Sequence, residues 1–378
     1  MVPGPVPVAP EVAAAAGAGP VDHHSDEFRL TLDETRRALA DLLNCDGSVE
    51  IMPGGGRLGI ESALKSLFEP GDPIFVCVTG TFGEWLATIA ERCGADVITE
   101  RWQPGRVVNP EVVAACLAKG TPRGSQFSAV AVAHCETSTG TVNPLDDIGR
   151  LCRDAEALFV VDAVSTVGVL PVDMAHDHID VCVTASQKGL GALMGLSVVA
   201  LGTRALARLS ARASLPATFG LDLSRWRADP DSPTTAYPVV PSPSLVMALR
   251  EAVRPLESGG LAATYQRHED TAAAVRSAFR RSGLDVFGDS PSCGLTTVEV
   301  PTSVSAHQVQ ERVLACHGIR VATGMGPIAD RIIRLSHMGI QADPGRVDVA
   351  VRAIVEECRN LETGLSAGEV SSGRSASC

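Results

Sequence analysis

The chain has 378 residues, a formal net charge of -12 and a pI near 5.2. This acidic balance argues against a nucleic-acid partner, because phosphate backbones are bound by clustered basic groups. No apolar run approaches the roughly 20 residues that a membrane helix needs, and the N-terminus lacks the charged and apolar segments of a signal peptide. The composition therefore predicts a cytoplasmic globular protein with no membrane partner.

Eleven cysteines are spread along the chain, an odd number without any CxxC pair. Most of them lie in apolar segments, which is typical of reduced thiols in a cytosolic protein rather than of a disulfide framework. Zinc sites need Cys and His residues at short, regular spacing, and the sequence lacks such spacing. We therefore expect no bound metal.

The first two thirds of the chain predict an N-terminal arm followed by an α/β domain. Residues 1–24 form the arm, which is expected to be extended over its first 22 residues because they are rich in Pro, Ala and Gly. A helix is predicted over residues 25–44, with Ser25 as its N-cap. Short apolar runs then alternate with amphipathic helical stretches, which indicates a three-layer domain with a mainly parallel sheet. The seven predicted strands are Val49–Met52, Ile74–Val78, Val97–Thr99, Ala129–Ala133, Leu158–Val164, Val181–Ala185 and Leu196–Leu201.

Polar, Pro-rich sequence from Ser224 to Pro243 separates this domain from a smaller predicted α+β domain. The second domain begins with a long predicted helix, Leu245–Ser282. Three strands and a closing helix follow, at Thr296–Val300, Arg320–Ala322, Ile332–Leu335 and Pro344–Glu362. The predicted domains are therefore residues 25–243 and 244–364. The tail, residues 365–378, is expected to be disordered because it has few apolar groups.

Residues Gly54–Gly59 match the GxGxxG pattern of dinucleotide-binding proteins. That interpretation requires an acidic residue at the end of the next strand, about 20 residues on. The next strand ends instead in Thr79-Gly80-Thr81, so NAD binding is disfavoured. Glycines ahead of the helical stretch Leu58–Phe68 still expose backbone amides at a helix N-terminus, which favours a phosphate site. A simple glycine-rich turn is the alternative.

Only three of the 32 basic residues are lysines, so each can be explained individually. Lys65 lies on the polar side of a predicted helix, and Lys119 precedes a C-capping glycine. Lys188 lacks such a surface explanation. It follows the predicted strand Val181–Ala185, at the sheet edge where open α/β folds bind ligands. A lysine amine can lose its proton and form a Schiff base, which an arginine cannot, so we predict that Lys188 is the reactive amine.

Asp162 lies at the same carboxyl edge, on the preceding predicted strand. A carboxylate there is costly unless it meets a cation or hydrogen-bond donors, and a protonated pyridine nitrogen would be such a cation. The alternative is an aspartate that only caps the following turn. The small hydroxyl residues of Glu136-Thr-Ser-Thr-Gly140 also follow a strand, and Phe82 stands where a ring could stack on a cofactor. Taken alone, the hydroxyl-rich run is commonly only a turn, and the phenylalanine is more often a core residue.

These motifs occur together in the order found in one known family. They are Gly54-Gly55-Gly56 with Glu61, Glu69-Pro-Gly-Asp72, Gly80-Thr-Phe-Gly83, Glu136-Thr-Ser-Thr-Gly140, Val160-Val-Asp-Ala-Val-Ser165 and Ser186-Gln-Lys188. The chain resembles the class V aminotransferases, which are pyridoxal-phosphate (PLP) enzymes of fold type I, in their alanine–glyoxylate and serine–pyruvate branch. The likeness runs from Pro3 to about Glu362. Gln187 distinguishes the chain from cysteine desulfurases, which carry His at that position.

The resemblance implies a role for each matching position. Lys188 would hold PLP as a Schiff base and move the proton, and Asp162 would pair with the pyridine nitrogen. Arg334 would grip the substrate carboxylate with its two-pronged guanidinium, beside a second substrate contact at Gly4. The other implied cofactor contacts are Gly55, Gly56, Arg57, Phe82, Thr137, Gln187 and Tyr237. Tyr237 would reach the phosphate in the neighbouring subunit, so the family implies a homodimer with shared active sites.

The resemblance predicts transfer of an amino group between an α-amino acid and a small 2-oxo acid. Departures from the family pattern alter the phosphate site and the substrate rim, at Pro53, Gly55, Arg57, Leu193-Met194, Val240 and Ser336-His337-Met338. They leave open an alternative, a PLP enzyme of elimination, replacement or ring-forming chemistry in secondary metabolism. A PLP-binding regulator is disfavoured, because its DNA-binding domain has no counterpart in the acidic N-terminal region.

Overall fold

The structure is a computed structural model that describes residues 1–19, 21–227, 237–257 and 260–364. The helices in these ranges are α1 (Pro10–Ala16), α2 (Asp26–Leu43), α3 (Gly56–Leu67), α4 (Thr81–Cys93), α5 (Pro110–Lys119), α6 (Leu145–Asp154), α7 (Thr203–Ser210), α8 (Pro243–Val253), α9 (Gly260–Arg281), α10 (Ala306–His317) and α11 (Pro344–Glu362). The strands are β1 (Ser48–Pro53), β2 (Pro73–Val78), β3 (Asp96–Arg101), β4 (Ala129–Ala133), β5 (Cys135–Glu136), β6 (Thr141–Val142), β7 (Leu158–Asp162), β8 (Val181–Ala185), β9 (Leu196–Leu201), β10 (Leu295–Glu299), β11 (Ala322–Thr323) and β12 (Ile332–Ser336). The predicted tail, 365–378, lies outside the described residues.

The seven strands predicted in the first part of the chain form one sheet, in the order β1-β9-β8-β7-β4-β2-β3. Pairing is parallel except at β9, which is antiparallel to both of its neighbours. Side chains alternate between the faces, as in any strand. Phe75 and Cys77 of β2 join the core that contains α2 and α8, whereas Ile74 and Val76 pack with α3 and α4. Helices therefore cover both faces of the sheet, as predicted.

A second, antiparallel sheet has the strand order β10-β12-β11. Its buried side chains, such as Val298 and Ile333, pack with apolar residues of α9, α10 and α11. Among the described residues, this core contains none from the seven-stranded sheet. The structure therefore confirms a smaller α+β unit near the C-terminus.

The N-terminal arm differs from its prediction. Pro10 begins α1, and the alanine-rich sequence that follows has high helix propensity. Val12 of this helix is buried in the same core as α2 and α8. The expectation of an extended arm is therefore wrong for Pro10–Ala16. Helix α2, in contrast, starts as predicted, with the Ser25 hydroxyl accepting a hydrogen bond from the amide of Phe28 at 3.2 Å.

The single long helix predicted over Leu245–Ser282 is in fact two helices. Pro255 lies between α8 and α9, and its missing N–H cannot continue the helical hydrogen bonding. Helix α8 buries Val246 and Leu249 in the core of the larger sheet, although the sequence assigned it to the smaller domain. From this packing we propose a domain boundary between α8 and α9 in place of residue 243. Helix α10 was not predicted.

Two features of the structure bear on the predictions made from composition: the apolar length of the helices and the state of the cysteines. Among the described residues, no helix is long and apolar enough to cross a membrane. The ten described cysteines are all free, and six of them are buried.

Candidate active site

The lysine and the aspartate singled out by the sequence lie at the carboxyl edge of the larger sheet. Asp162 ends β7, and Lys188 lies in the turn after β8, which pairs with β7 in parallel. Both residues line a cavity of about 780 Å³, which is large enough for a cofactor and a small substrate. The same cavity is lined by the predicted residues Gly55, Gly56, Arg57, Phe82, Thr137 and Gln187. Eight of the predicted positions are therefore brought together.

Asp162 is a buried carboxyl group that is only partly satisfied. Its Oδ1 accepts a hydrogen bond from the amide of Val164 at 3.0 Å, and no described residue donates to Oδ2. Desolvation raises the pKa of Asp162 from 3.8 to about 6, against the opposing effect of the Val164 bond. The contact with Val164 is the turn cap that the alternative reading required. The second oxygen is left for a cationic donor in the cavity.

The side chain of Lys188 is partly buried beside the N-terminal arm, where Nζ donates to the carbonyl oxygen of Pro3. Desolvation lowers the pKa of Lys188 from 10.5 to about 8, although nearby Cys135 acts in the opposite direction. At pH 7, one unit below this pKa, about a tenth of the amine is unprotonated and able to attack a carbonyl group. Lys65 instead donates to the Cys93 carbonyl at 3.2 Å, and Lys119 is exposed. The surface explanations of these two lysines are confirmed.

The N-terminus of α3 faces the cavity next to the glycine-rich turn. Gly55 is the N-cap, and the first-turn amides of Gly56 and Arg57 have no acceptor within the helix, which makes this end suitable for an anion. A Cβ on Gly56 would lie 2.3 Å from Val164 Cγ2, so the helix can approach β7 only with a glycine here. Strand β1 before this turn is an edge strand antiparallel to β9. A dinucleotide fold instead has its glycine turn after a parallel strand within the sheet, so the structure supports rejecting NAD.

Arg57 and Phe82 both contact the side chain of Trp85. The Arg57 guanidinium carbon lies 4.4 Å from the Trp85 ring centroid, within the range of a cation–π interaction. The Phe82 ring meets the same indole edge-on, with 5.0 Å between the ring centroids. These contacts fix a cationic group and an aromatic ring on one side of the cavity. Trp85 was missed by the sequence reasoning, although its spacing of one helical turn after Phe82 was an available signal.

Glu136 holds the start of α4 in place. Its fully buried carboxylate accepts hydrogen bonds from the amides of Phe82 and Gly83, at 3.0 and 3.1 Å, and from Ser138. Burial raises the pKa of Glu136, and these hydrogen bonds oppose the shift. A carboxylate at a helix N-terminus also interacts favourably with the helix dipole. Glu136 therefore positions Phe82, a role that the sequence motif alone did not reveal.

Arg334 reaches from the smaller unit to the cavity wall. Its Nε donates to the Thr323 carbonyl at 2.6 Å, and its Nη1 donates to the Thr137 carbonyl at 2.7 Å. Burial lowers the pKa of Arg334 to about 10, so the side chain stays cationic at neutral pH. Gly4 lies against the lysine, because a Cβ added to it would be 2.9 Å from Lys188 Nζ. Arg334 and Gly4 thus adjoin residues that line the cavity.

Two predicted positions lie elsewhere in this chain. Tyr237 packs edge-on against Phe28, with 6.2 Å between the ring centroids, and does not line the cavity of its own chain. His337 is fully buried in the smaller unit, with Nε2 3.0 Å from the Thr296 hydroxyl. The expectation that His337 alters the substrate rim is therefore wrong. Met194, which the sequence also placed at the rim, does line the cavity and is 62% exposed.

Cys135 is a further cavity residue that the sequence reasoning missed. It immediately precedes the Glu136-Thr-Ser-Thr-Gly140 motif, so its position next to a functional segment was an available signal. Burial raises its thiol pKa to about 12, which keeps it protonated at neutral pH.

The cavity is suited to a cofactor that carries a phosphate, an aldehyde and a basic ring nitrogen. Free amides at the α3 N-terminus match the phosphate, and the buried amine of Lys188 matches the aldehyde. The open Oδ2 of Asp162, whose pKa is already raised, matches a protonated ring nitrogen. The fold and the site together define a PLP enzyme of fold type I.

Comparison with known proteins identifies the family. The model of the aminotransferase class-V family matches residues 11–341. The chain is 31% identical to alanine–glyoxylate aminotransferase of Oryctolagus cuniculus over 94% of this chain and 92% of the relative. It is 30% identical to (S)-ureidoglycine–glyoxylate transaminase of Bacillus subtilis, over 98% of this chain and 92% of that one. The chain therefore belongs to the class V aminotransferases and is a PLP-dependent aminotransferase.

Solved structures agree with this assignment. Alanine–glyoxylate aminotransferase from Nostoc sp. superposes with a TM-score of 0.88 at 30% identity, covering 94% of both chains. Pyridoxamine–pyruvate aminotransferase from Mesorhizobium loti has a TM-score of 0.89 at 26% identity, covering 97% of this chain and 93% of that one. A cysteine desulfurase from Thermococcus onnurineus shares the fold at a lower TM-score of 0.71 and 16% identity.

Proposed function

We propose that the protein transfers an amino group between an α-amino acid and a small 2-oxo acid with PLP bound to Lys188 as a Schiff base. The observation that carries this assignment of residues is that Lys188 and Asp162 line one cavity, at adjacent strand ends. PLP supplies an electron sink when bound. Asp162 would hold the proton on the ring nitrogen, and Lys188 would move a proton at the substrate α-carbon. Arg334 would bind the substrate carboxylate, next to Gly4.

The other cavity residues would hold the cofactor itself. The phosphate would lie at the amides of Gly55 and Gly56, near Gln187. The guanidinium of Arg57 would supply positive charge there. Its stacking on Trp85 supports this role, because Arg57 and Trp85 line the same cavity as Gly55 and Gly56. Two further predicted residues line the cavity: Phe82 would stack on the cofactor ring, and Thr137 would touch its edge.

The names of the relatives support a small acceptor. Both relatives compared above have glyoxylate in their names, and both align with more than nine tenths of this chain. Glyoxylate is therefore the 2-oxo acid to test first. The donor panel should extend beyond alanine and serine, because two residues that line this cavity, Arg57 and Met194, depart from the family pattern. Mass spectrometry of the products, with and without an acceptor, would identify the donor.

The reaction type is tested by omitting the acceptor. An amino-transferring enzyme follows a ping-pong route, so a donor alone can be used only once per active site. We expect the yellow absorbance of the loaded protein to be lost in a single turnover with the best donor and to return when glyoxylate is added. Sustained turnover without any acceptor would contradict amino transfer and support elimination or replacement.

The assignment of the lysine is tested separately by chemical trapping. Borohydride reduction should fix the cofactor to the peptide that contains Lys188, and Lys188→Ala should abolish turnover. The other two lysines are internal controls in the same digest. Recovery of the label on Lys65 or Lys119 would overturn the assignment.

We also propose that the enzyme is a cytoplasmic homodimer whose subunits share active sites. Apolar side chains that a partner could cover support a dimer: Met194 at the cavity mouth and Val240 are 62% and 67% exposed. Tyr237 lies outside the cavity of its own chain, as a residue acting in the neighbouring subunit must. The free cysteines support a reducing compartment.

A further inference from the structure

The first eight residues cross from the smaller unit to the lysine-bearing turn, and we call them the N-terminal strap (residues 1–8). At one end, the amide of Ser336 on β12 donates to the Met1 carbonyl at 3.0 Å. At the other end, the Val6 amide donates to the Gln187 carbonyl at 3.1 Å. The Val6 side chain is 5% exposed and packs with Leu295 and Met338. The strap is thus anchored both to β12 and to the turn that carries Lys188.

Between these anchors, the strap touches Lys188 along the outer half of its side chain. The Lys188 amine donates to the carbonyl oxygen of Pro3, which is buried. The next residue, Gly4, has φ +122°, a conformation that L side chains rarely adopt. A Cβ at Gly4 would lie 2.7, 2.8 and 2.9 Å from Cδ, Cε and Nζ of Lys188. A side chain at position 4 would therefore displace the end of the Lys188 side chain.

This contact matters because a free lysine side chain is flexible. Lysine has about 2 kcal/mol of rotamer entropy to lose when it is fixed in one geometry. Reaction rates rise steeply when a nucleophile is held near its attack geometry in advance. Besides the Pro3 carbonyl, three groups interact electrostatically with the amine: Cys135, Arg334 and Asp162. No hydrogen bond from Nζ to any of these three occurs among the described residues.

We propose that the strap positions Lys188, with the Pro3 carbonyl holding the amine whenever it is not bonded to the cofactor. This proposal rests on the assignment of Lys188 as the cofactor lysine. When the amine attacks the aldehyde carbon, a C=N bond forms, and the aldehyde oxygen leaves as water with the two amine protons. The amine cannot keep its donor contact with Pro3 through this step. The strap therefore acts before the bond forms and again whenever the bond is broken.

The test compares Gly4→Ala with Gly19→Ala. Gly19 has a similar φ, +115°, but apart from its chain neighbours no described residue has an atom within 4 Å of an added Cβ. Gly19→Ala therefore reproduces the backbone strain without the contact. One readout is the rate at which cofactor-free protein becomes yellow after mixing with PLP. The second is the affinity for pyridoxamine phosphate, which carries an amine in place of the aldehyde and cannot bond to lysine. We expect Gly4→Ala to slow the formation of the yellow colour about tenfold and to change the affinity for pyridoxamine phosphate less than about twofold. Gly19→Ala should alter neither the rate nor the affinity.

Two results with Gly4→Ala would overturn the proposal. If Gly4→Ala lowers the rate of PLP incorporation and the affinity for pyridoxamine phosphate equally, the strap shapes the cavity and does not position the lysine. If the rate is unchanged, the strap does not position the lysine either. Val6→Ala provides a second variant if Gly4→Ala does not fold, because it loosens an anchor without touching the lysine side chain. It should also slow PLP incorporation more than it weakens pyridoxamine phosphate binding, and an unchanged rate there overturns the proposal too. The borohydride label reports separately on whether Lys188 is the cofactor lysine.

Discussion

Desolvation shifts the pKa values of the two central side chains of the cavity, Asp162 and Lys188, in opposite directions. It raises the pKa of Asp162 to about 6 and lowers that of Lys188 to about 8. Both shifts disfavour the charged form, because charge is costly in a buried site. A protonated ring nitrogen would give the Asp162 carboxylate a cationic partner, and a C=N bond would remove the charge of the Lys188 ammonium. Binding of PLP to these two residues would therefore relieve both costs at once.

Asp162→Asn tests this reasoning in two ways. We expect activity to fall about a hundredfold or more, because a neutral amide cannot hold the ring proton. In cofactor-free protein the same change should raise the free energy of unfolding above pH 6. The folded pKa lies above the ordinary 3.8, so the native state binds more protons between about pH 4 and 6, and stability falls as the pH rises through that window. The gain is at most about 3 kcal/mol.

Urea unfolding of the cofactor-free protein at about pH 4 and pH 7.5 measures the stability difference. The exposed residue Asp285 offers a matched control, since Asp285→Asn should leave both stability and activity unchanged. Near wild-type activity of Asp162→Asn would reduce Asp162 to a turn cap for Val164.

The lowered pKa of Lys188 predicts a pH dependence for cofactor incorporation. Only the neutral amine attacks the aldehyde, so the rate of yellow colour formation should rise with pH and reach half of its maximum near pH 8. Rapid mixing of cofactor-free protein with PLP, at a series of pH values, measures this profile. Lys188→Ala is the blank. A midpoint near the ordinary 10.5 would contradict the burial of this amine.

Arg334 predicts a split between binding and turnover. Arg334→Lys keeps the positive charge but loses the planar fork, so we expect KM for carboxylate substrates to rise about tenfold with a smaller change in kcat. Arg331→Lys is the control, because Arg331 is exposed and pairs only with Glu299 among the described residues. Steady-state kinetics with one donor and one acceptor measure both constants. An unchanged KM in Arg334→Lys would place the carboxylate site elsewhere.

At the scale of elements, the buried strands were the most predictable part of the chain. Strands β4, β8 and β9 begin and end at the predicted residues, because a strand buried on both faces is a short continuous apolar run. Helix α10 was missed because only Ala306, Val309 and Val313 of its apolar face are buried. Its end signals were present in the sequence, with Ser305 as N-cap and Gly318 just past the last turn.

Glu136 makes a prediction about α4. In Glu136→Gln, one carboxylate oxygen becomes an NH2 group that faces the N–H and O–H donors, and the helix N-terminus loses its negative charge. Removing the buried charge of Glu136 favours folding, but its carboxylate accepts from four donors where Asp162 accepts from one, so we expect the lost hydrogen bonds to prevail. The free energy of unfolding should fall by about 2 kcal/mol, as read from urea unfolding. Glu84 is on the same helix, and Glu84→Gln removes its exposed ion pair with Arg101 of β3, which should cost under about 1 kcal/mol. Equal effects would mean that Glu136 does not cap the helix.

At the scale of the whole molecule, the sequence located the residues at the carboxyl ends of the strands. These ends converge in a parallel sheet, so Asp162, Lys188 and Thr137 could be placed on one cavity before the structure was known. Contacts made by the path of the arm could not be placed. Pro3 meets Lys188 across a sequence separation of 185, and neither residue carries a local signal of the other. The role of Tyr237 needs a second subunit, which one sequence does not position.

Tyr237 provides the test of assembly. The variants Lys188→Ala and Tyr237→Phe are each expected to be poorly active, and a mixture that exchanges subunits contains heterodimers. If Tyr237 acts in the neighbouring subunit, one site of each heterodimer lacks both groups and the other is intact. Random exchange of equal amounts should then restore about a quarter of wild-type activity, because half of the dimers carry one intact site of two. If Tyr237 acts within its own chain, both sites stay damaged and the mixture is no more active than its parents. Sedimentation at assay concentration is the matching control, and a monomeric enzyme would rule out shared sites.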